Sequence, residues 1–414
     1  MNKLTSETAS IGFADLESFV RERAQALIQN ILEEEVEELL GRCKGERRNG
    51  ETPVGYRNGH GKERRLATSI GTVKVRRPRV RGTDEAFVSR ILPYFHRQTA
   101  QVSQTLPELY LHGLSAGDFE LAMRGLLGDG APLSASSIFR LKAVWQAEYE
   151  TWKQRSLADL NVVYLWVDGI YVKAGLEKDK AALLVVIAAL ADGTKQVLAV
   201  ESGHRESELS WSGVLRDLRD RGMNCPRLVV GDGHLGIWSA LARVFPHAEG
   251  QRCWNHRMRN IIDCVGKKSQ PEAKELLRNV MYAESLEKAC AARTTFQNWA
   301  EQHQFTKAAE KIGSDWERLT AYYSLPKEHW THLRTSNIIE SPFASVRLRT
   351  DASKRYKKIE GATAMIWKLL LVAQRNFRKI KAPELMPKVA QGTQYKDGIE
   401  VPEETRAAVQ RNAA

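Results

Sequence analysis

The stretch from residue 161 to residue 256 constrains the fold of this chain more than any other. It contains five apolar segments with strand character: three joined by short turns, then two that alternate with helices. The predicted strands are Val162–Val172, Ala181–Leu190, residues 194–202, Leu228–Gly231 and a short segment ending near residues 251–253. The predicted helices are residues 206–221 and Leu235–Val244. This order predicts a mixed five-stranded sheet and an α+β/α/β fold class.

Three carboxylates stand out by their place in this pattern. Asp168 lies inside the first predicted strand, Asp232 directly follows the fourth, and Glu340 lies in the first turn of a later helix. Open α/β sheets place ligands beyond the carboxyl ends of their strands. The strand order is that of the ribonuclease-H-like fold, in which we expect these three side chains to converge in an open crevice with basic walls.

Three converging carboxylates suit phosphoryl transfer on DNA. This reaction needs charge neutralisation and in-line alignment, which two Mg²⁺ ions about 3.5–4 Å apart supply. Mg²⁺ prefers hard oxygen ligands, and Mn²⁺ can substitute for it. We therefore predict that Asp168, Asp232 and Glu340 are catalytic residues and ligands for two metal ions.

Each acid also has a structural alternative. Asp232 could cap the following helix, Asp168-Gly169 could form a hairpin turn, and Asn337-x-x-Glu340 could be a capping box. Competing acids near the third predicted strand are Glu201, Glu206 and Glu208.

The charge of the chain favours a polyanionic partner. Net charge is +12 and the pI is about 9.4. Residues 42–97 hold 15 Lys/Arg against 5 Asp/Glu, and residues 343–381 hold 11 against 2. Two separate basic blocks predict a long ligand touched at several places, with double-stranded DNA ahead of a membrane surface.

The first basic block contains candidate DNA contacts. Residues 13–40 have the spacing of an amphipathic helix ended by Gly41, predicted for packing or dimerisation, and residues 45–61 predict a loop. Residues 65–79 alternate about Gly71 as a β-hairpin with a basic face. The predicted contacts on this hairpin are Lys74, Arg76 and Arg77.

Residues 98–152 predict helices separated by glycine-containing turns. A helix-turn-helix is one interpretation, and an ordinary αα-hairpin is the other. In the first, Ser136, Ser137 and Arg140 face a DNA groove. The side chains then predicted to pack inward are Ile138, Leu141 and Val144.

The chain after His256 predicts helices to about residue 323, with no strand candidate, and a last long helix over residues 359–378. Candidate contacts to flanking or target DNA in this basic region are Arg347, Arg349, Lys354 and Arg355. Beyond Pro383 we expect a loosely ordered tail.

Cysteine usage and hydropathy predict a cytoplasmic location. The five cysteines are odd in number and unpatterned, which suits a reducing compartment. No signal-like segment opens the chain, and its longest apolar run, residues 181–191, is shorter than the roughly 20 residues of a membrane span. We expect a bacterial, nucleoid-associated protein without membrane contact.

Several motifs, in order and spacing, resemble those of IS256-family transposases, the bacterial relatives of the Mutator transposases. The resemblance covers roughly residues 39–377. The matching stretches are residues 55–59 (GYRNG), 109–115 (LYLHGLS), 166–171 (WVDGIY), 204–208 (HRESE), 231–236 (GDGHLG), 251–256 (QRCWNH), 328–337 (EHWTHLRTSN) and 339–341 (IES).

This resemblance implies a DDE transposase with Asp168, Asp232 and Glu340 as its acids and an all-helical insertion before the glutamate. It also implies that Cys253-x-x-His256 packs and positions groups beside the active site. Zinc binding is the alternative for this pair, but four ligands are usual. Trp254 could pack in the core or stack on an unpaired base.

The function predicted on these grounds is cutting DNA at the terminal inverted repeats of an insertion sequence and joining the 3′-OH to target DNA, by a homodimer that pairs two ends. The alternatives are a nuclease of the same fold without strand transfer and a transposase-derived DNA-binding regulator. The predicted divisions are residues 1–44, 45–97, 98–157, 158–256, 257–332, 333–382 and 383–414.

Overall fold

The structure is a computed structural model that describes residues 13–50, 53–84, 86–93, 96–111, 119–127, 135–174, 181–203, 206–233, 235–353 and 356–402. The chain forms two compact units, residues 1–141 and residues 142–414. Among the described residues, no helix combines the length and the hydropathy needed to cross a membrane.

The first unit contains a long helix, a β-hairpin and shorter helices. Helix α1 (Leu16–Leu40) ends at Gly41, whose φ of 60° is left-handed, as the sequence predicts. The other elements are β1 (Tyr56–Thr68), β2 (Gly71–Arg81), α2 (Ala100–Leu111), α3 (Phe119–Leu127) and the start of α4 (Ala135–Lys153).

The hairpin is longer than predicted. Residues 56–61, expected in a loop, belong to β1, which pairs antiparallel with β2 from Tyr56↔Arg81 to Thr68↔Gly71. The register shifts between Arg57 and His60 and again between His60 and Glu63. These bulges explain why the glycine-containing sequence lacks the regular alternation of a strand.

Helix α1 packs against the hairpin, as one of its two predicted roles requires. Leu32 shares a buried cluster with Val73, Val75 and Leu92. The side chain of Gln25 accepts a hydrogen bond from the Lys74 backbone N–H at 2.9 Å, so the helix also covers backbone groups of β2. The dimerisation role stays a prediction.

The second unit is built on the predicted mixed five-stranded sheet. Its strands are β3 (Val162–Val172), β4 (Ala181–Leu190), β5 (Lys195–Gly203), β6 (Leu228–Gly231) and β7 (Glu249–Arg252), in the order β5-β4-β3-β6-β7. β3, β4 and β5 are antiparallel neighbours, whereas β6 is parallel to β3 and β7 is parallel to β6.

Helices α5 (Glu208–Asp220) and α6 (Leu235–Val244) bury one face of this sheet. Trp211 and Leu241 pack there with Leu165 and Val167 of β3. Because side chains alternate along a strand, Tyr164, Trp166 and Asp168 lie on the opposite face.

The remaining elements of this unit are mainly helical. They are α7 (Trp254–Ile262), α8 (Gln270–Met281), α9 (Leu286–Gln302), α10 (Thr306–Gly313), α11 (Trp316–Thr320), α12 (Trp330–Leu333), α13 (Asn337–Ser353), α14 (Ile359–Gln374), α15 (Met386–Ala390), and the short strands β8 (Tyr395–Lys396) and β9 (Ile399–Glu400). Residues 257–332, all described, contain no strand, as the sequence pattern predicts.

The C-terminal segment corrects the prediction of a loosely ordered tail. Residues 383–402 form α15 and the β8–β9 hairpin, and residues 403–414 lie outside the described residues. Met386 and Val389 are fully buried, and the Lys327 backbone N–H donates to the Gly398 carbonyl at 3.2 Å. A few apolar side chains in a polar sequence are therefore enough to anchor the segment.

The boundary between the two units falls inside α4, after residue 141. The second half of α4 packs on the sheet: the Tyr149 hydroxyl donates to the Val200 carbonyl at 2.7 Å, and its ring lies 5.7 Å from that of Trp367 on α14.

Candidate functional site

The pairing of β3 with β6 brings Asp168 and Asp232 together. Each β6 partner is numbered 64 higher than its β3 partner, from Tyr164↔Leu228 to Trp166↔Val230. Asp168 and Asp232 keep this offset two residues beyond the last pair. In parallel strands the same register places side chains on the same face. The two carboxylates therefore meet where β6 ends, as the sequence predicts.

The chain turns sharply after Asp232. Gly233 has a φ of 102°, a conformation that side-chain-bearing residues rarely adopt. Helix α6 begins only at Leu235, three positions after Asp232. Asp232 is therefore not the residue directly before the helix, so the N-cap alternative does not describe it. Asp168 lies within β3, and the hairpin-turn alternative is likewise excluded.

A third carboxylate, Glu206, joins this pair. One ligand oxygen from each of Asp168, Glu206 and Asp232 lies within 4.8 Å of the other two. Glu206 precedes α5, whose N-cap is Ser207, and is only 8% exposed. We call these three residues the aspartate cluster. The sequence marked Glu206 only as one competing acid among three, because nothing local shows which of them reaches the sheet edge.

Glu340 belongs to a second group, with Cys253 and His256, whose ligand atoms also lie within 4.8 Å of one another. We call it the histidine cluster. The expectation that Glu340 shares one group with the two aspartates is therefore corrected. The Ser336 hydroxyl donates a short hydrogen bond to Glu340 Oε1, which draws the carboxylate towards His256, 3.8 Å from its Nδ1. Ser336 rather than Asn337 caps α13, so the predicted capping box is absent.

The histidine cluster is fixed by backbone contacts between distant segments. The Cys253 N–H donates to the Gly231 carbonyl at 2.7 Å, which ties the cluster to the end of β6. The Ser336 N–H donates to Cys253 Sγ at 3.3 Å. This arrangement agrees with the positioning role implied for Cys253 and His256. The zinc alternative gains one ligand type, Glu340, but not the usual four.

Trp254 is fully buried, and its indole N–H donates to the Leu319 carbonyl at 2.8 Å. Its ring lies edge-on to Trp316, with 6.5 Å between ring centroids. No face of this indole is open to a base. Of the two predicted roles, the structure supports core packing and argues against stacking on DNA.

The two clusters interact electrostatically. Burial, together with the charges of Asp232 and Glu206, raises the pKa of Asp168 to about 7, against a hydrogen bond from the Gly169 N–H. A hydrogen bond with Cys253 raises the pKa of His256 to about 9, with added contributions from Glu340 and Asp232. His256 is therefore a cation at neutral pH that acts on both groups of acids.

The chemistry of the aspartate cluster fits a hard divalent cation. Its donors are carboxylate oxygens, which Mg²⁺ and Mn²⁺ prefer. Their mutual repulsion, seen in the raised pKa of Asp168, is what a cation between them would remove. The aspartate cluster can therefore hold a metal ion. The sequence predicted a different set of three ligands, Asp168, Asp232 and Glu340.

The three predicted DNA contacts on the hairpin differ in their exposure to solvent. Lys74 and Arg76 are exposed on one face of β2. Arg77 is 8% exposed, its guanidinium lies over the Phe87 ring, and it donates to the Phe87 carbonyl. The assignment of Arg77 to the basic face is therefore corrected. Arg77 follows Val73 and Val75 at two-residue spacing, so strand alternation places it on their buried face, opposite Lys74 and Arg76.

The predicted DNA contacts on α13 also differ in their exposure to solvent. Arg347 is exposed, whereas Arg349 is 2% exposed. Val346 is buried, and a residue three positions further on the helix lies on the same inward face. The assignment of Arg349 to a DNA surface is therefore corrected. Lys354 and Arg355 lie outside the described residues.

The helix-turn-helix candidates lie at the start of α4. Ser136 and Ser137 are in its first turn, and Arg140 is exposed. Val144, predicted to pack inward, is 52% exposed, whereas Trp145 is buried. The turns before α3 and α4 fall at residues 112–118 and 128–134, outside the described residues, so both interpretations of this region stay predictions.

Comparison with known proteins places this chain in a family. The family model described as "Transposase, Mutator family" matches residues 2–379. The transposase for insertion sequence element IS6120 of Mycolicibacterium smegmatis is 43% identical over 297 residues, which cover 72% of this chain and 92% of that protein.

More distant relatives have the same description. The transposase for insertion sequence element IST2 of Acidithiobacillus ferrooxidans is 37% identical over 281 residues, 67% of this chain and 94% of that protein. The transposase for IS256 in transposon Tn4001 of Staphylococcus aureus is 25% identical over 318 residues, 76% of this chain and 80% of that protein.

Proposed function

The chain belongs to the Mutator family of transposases, and from this premise we propose that it cuts DNA at the terminal inverted repeats of an insertion sequence and joins the freed 3′-OH to target DNA. Family membership confirms the resemblance to IS256-type transposases and makes the chain an enzyme that acts on DNA. The observation that carries the finer proposal is the shared register of β3 and β6, which sets Asp168 beside Asp232.

The sheet supports a ribonuclease-H-like catalytic unit. Three antiparallel strands, β5, β4 and β3, are followed by two parallel strands in the order β5-β4-β3-β6-β7. Asp168 lies on the central strand and Asp232 at the end of its parallel neighbour. Nuclease and transferase chemistry in this unit would take place at the edge where β6 stops.

Divalent metal ions are the cofactor that this site would use. Asp168 and Asp232 would hold one, and Glu340 on α13 would hold the second. When bound, two Mg²⁺ ions neutralise charge on the scissile phosphate and align the attacking oxygen. Water attacks the phosphodiester first, and the freed 3′-OH attacks target DNA in the second step.

The residues of the histidine cluster would set the site for this chemistry. His256, charged at neutral pH, offsets part of the repulsion that Asp232 and Glu206 exert on Asp168, and it also interacts with Glu340. Ser336 holds the Glu340 carboxylate through its hydroxyl and Cys253 through its backbone N–H. Glu340 is thereby kept in the first turn of α13, next to His256.

Two other enzyme or binding roles compete with this proposal. A nuclease of the same fold would release cut ends without joining them, and an assay for joined product separates the two. A DNA-binding regulator derived from a transposase would need no acids at all. The convergence of Asp168, Glu206 and Asp232 has no use in such a regulator, since like charges held together cost stability.

The test uses the substitution Asp232→Asn, which keeps the shape of the side chain and removes its charge. Binding to a transposon end, measured by gel shift, should stay within about threefold of wild type, because phosphate contacts dominate such affinity. Cleavage and joining should both fall to background. Mg²⁺ or Mn²⁺ should be required for both, whereas Ca²⁺ should support binding alone.

The matched control is Asp220→Asn, at the exposed end of α5 and paired with Arg219 on the surface. It should cleave and join like wild type. Joining by the Asp232→Asn enzyme at an undiminished rate would overturn the proposed catalytic site.

A further inference from the structure

The aspartate cluster contains one more acid than the proposed reaction uses. We propose that Glu206 is a third oxygen ligand for the divalent cation held by Asp168 and Asp232. The proposal rests on the metal-dependent function above. It also gives a role to the stretch from residue 204 to residue 208, which the sequence singled out without assigning a chemical role.

The distances favour Glu206 over Glu340 as the nearest partner of the two aspartates. Oxygen ligands of one Mg²⁺ lie about 2.0–2.1 Å from the ion, so opposite ligands are about 4.2 Å apart. The oxygens of Asp168, Glu206 and Asp232 lie within 4.8 Å of one another, close to that span. Glu340 instead belongs to the histidine cluster and accepts a hydrogen bond from the Ser336 hydroxyl.

Neighbouring residues show that the fold makes room for Glu206 at this place. A Cβ on Gly169 would lie 2.3 Å from Glu206 Oε1, so only glycine lets this carboxylate lie against β3. Glu206 therefore lies directly beside the strand that carries Asp168.

The two other acids that competed with Glu206 in the sequence have different partners. Glu201 accepts hydrogen bonds from the Tyr149 hydroxyl at 3.2 Å and from Lys153 Nζ at 2.8 Å. Glu208 forms an ion pair with Arg243 at 2.9 Å. Glu201 and Glu208 therefore pair with cations elsewhere, and of the three competing acids Glu206 is the one with an oxygen within 4.8 Å of both aspartates.

Burial makes the grouping costly without a cation. Ionised carboxylates removed from water are destabilised, and neighbouring like charges add to that cost. The oxygens of Asp168, Glu206 and Asp232 lie within 4.8 Å of one another, so their negative charges oppose one another at close range. A divalent cation with three carboxylate ligands removes this opposition, and a structural role for Glu206 alone does not.

The experiment measures Mn²⁺ binding to the full chain without DNA, by electron paramagnetic resonance of free Mn²⁺ during titration. Glu206→Gln should weaken the affinity roughly tenfold or more, because loss of even an outer-shell partner commonly costs 10–100-fold. Glu206→Asp, which keeps the charge but withdraws the carboxylate by one methylene, should also weaken it. Glu208→Gln, two residues away, should bind like wild type.

Asp168→Asn distinguishes failure of this inference from failure of the proposed function. If Asp168→Asn weakens Mn²⁺ binding and both Glu206 variants bind like wild type, Glu206 is not a ligand, and the proposed site stands. If neither Asp168→Asn nor the Glu206 variants alter binding, both proposals fall.

A second measurement locates the ion without relying on affinity. Fe²⁺ bound in place of Mn²⁺, with ascorbate and peroxide, should cut the backbone near residues 168, 206 and 232. The cut near residue 206 should be lost in Glu206→Asp. Cutting near residues 168 and 232 with none near 206 in the wild-type chain would overturn the inference.

Discussion

The packing around Asp168 opposes ionisation of the Asp168 carboxyl group. Burial and the neighbouring acids raise its pKa from 3.8 to about 7. A carboxyl group whose pKa is higher in the folded than in the unfolded state loses its proton at a higher pH in the folded protein. Its contribution to stability is present at low pH and is lost as pH rises through about 7.

This linkage predicts that Asp168→Asn stabilises the metal-free protein at alkaline pH. At pH 8, with a chelator, the free energy of unfolding should exceed that of wild type, with about 1.4 kcal/mol per pKa unit as the upper limit. The gain should shrink below pH 7 and vanish near pH 4, where the aspartate is protonated in both states. Urea denaturation across this range checks it, and a gain independent of pH would refute the linkage.

Trp254 yields a second prediction at this scale. Trp254→Phe removes the donor to the buried Leu319 carbonyl, so the free energy of unfolding should fall by about 1–3 kcal/mol. Affinity for DNA with unpaired flanks should not change. Tyr282→Phe, at an exposed aromatic residue, should alter neither quantity. Unchanged stability with weaker binding to unpaired DNA would restore the stacking role.

The candidate DNA contacts of the β1–β2 hairpin that are exposed lie on one face. Arg65 and Lys74 are cross-strand partners, and Arg76 lies two residues further along the same face of β2. Val73 and Val75 point the other way, into the cluster with Leu32. The exposed face is therefore a cationic ribbon that α1 supports from behind.

Lys74→Gln combined with Arg76→Gln should reduce the salt dependence of DNA binding. Each lost phosphate contact lowers the log–log slope by about 0.9, so the pair should change it by roughly 2. Fluorescence anisotropy with a transposon end over a salt series measures this. Lys388→Gln, which removes an exposed cation paired with Glu400, is the control and should keep the wild-type slope. An unaltered slope in the double variant would remove the hairpin from the DNA surface.

Under the proposed function the protein acts on two transposon ends, and we expect two chains to do so together. Light scattering of the complex should give two chains with two end duplexes, whereas a duplex of unrelated sequence should not support this assembly. The reason is that one active site joins one strand at a time, while an inserted element has two ends. A single chain per end with full joining activity would contradict the homodimer.

Much of the catalytic unit follows from the sequence because its determinants are local. Apolar runs of strand length and short turns specify β3, β4 and β6, and alternation places Asp168 on a face. The match of Asp168 with Asp232 then needs only a parallel pairing of two predicted strands. The family motifs add Glu340, Cys253 and His256 to this neighbourhood.

Only the tertiary structure decided which of several similar side chains occupies each place. Glu201, Glu206 and Glu208 are alike in sequence, but only Glu206 reaches the aspartates, because Gly169 leaves space for it. Arg77 lies on the face of β2 that packing turns inward, with Val73 and Val75, and Arg349 lies on the inward face of α13 with Val346. Such outcomes depend on packing between residues far apart in the chain, which local pattern does not encode.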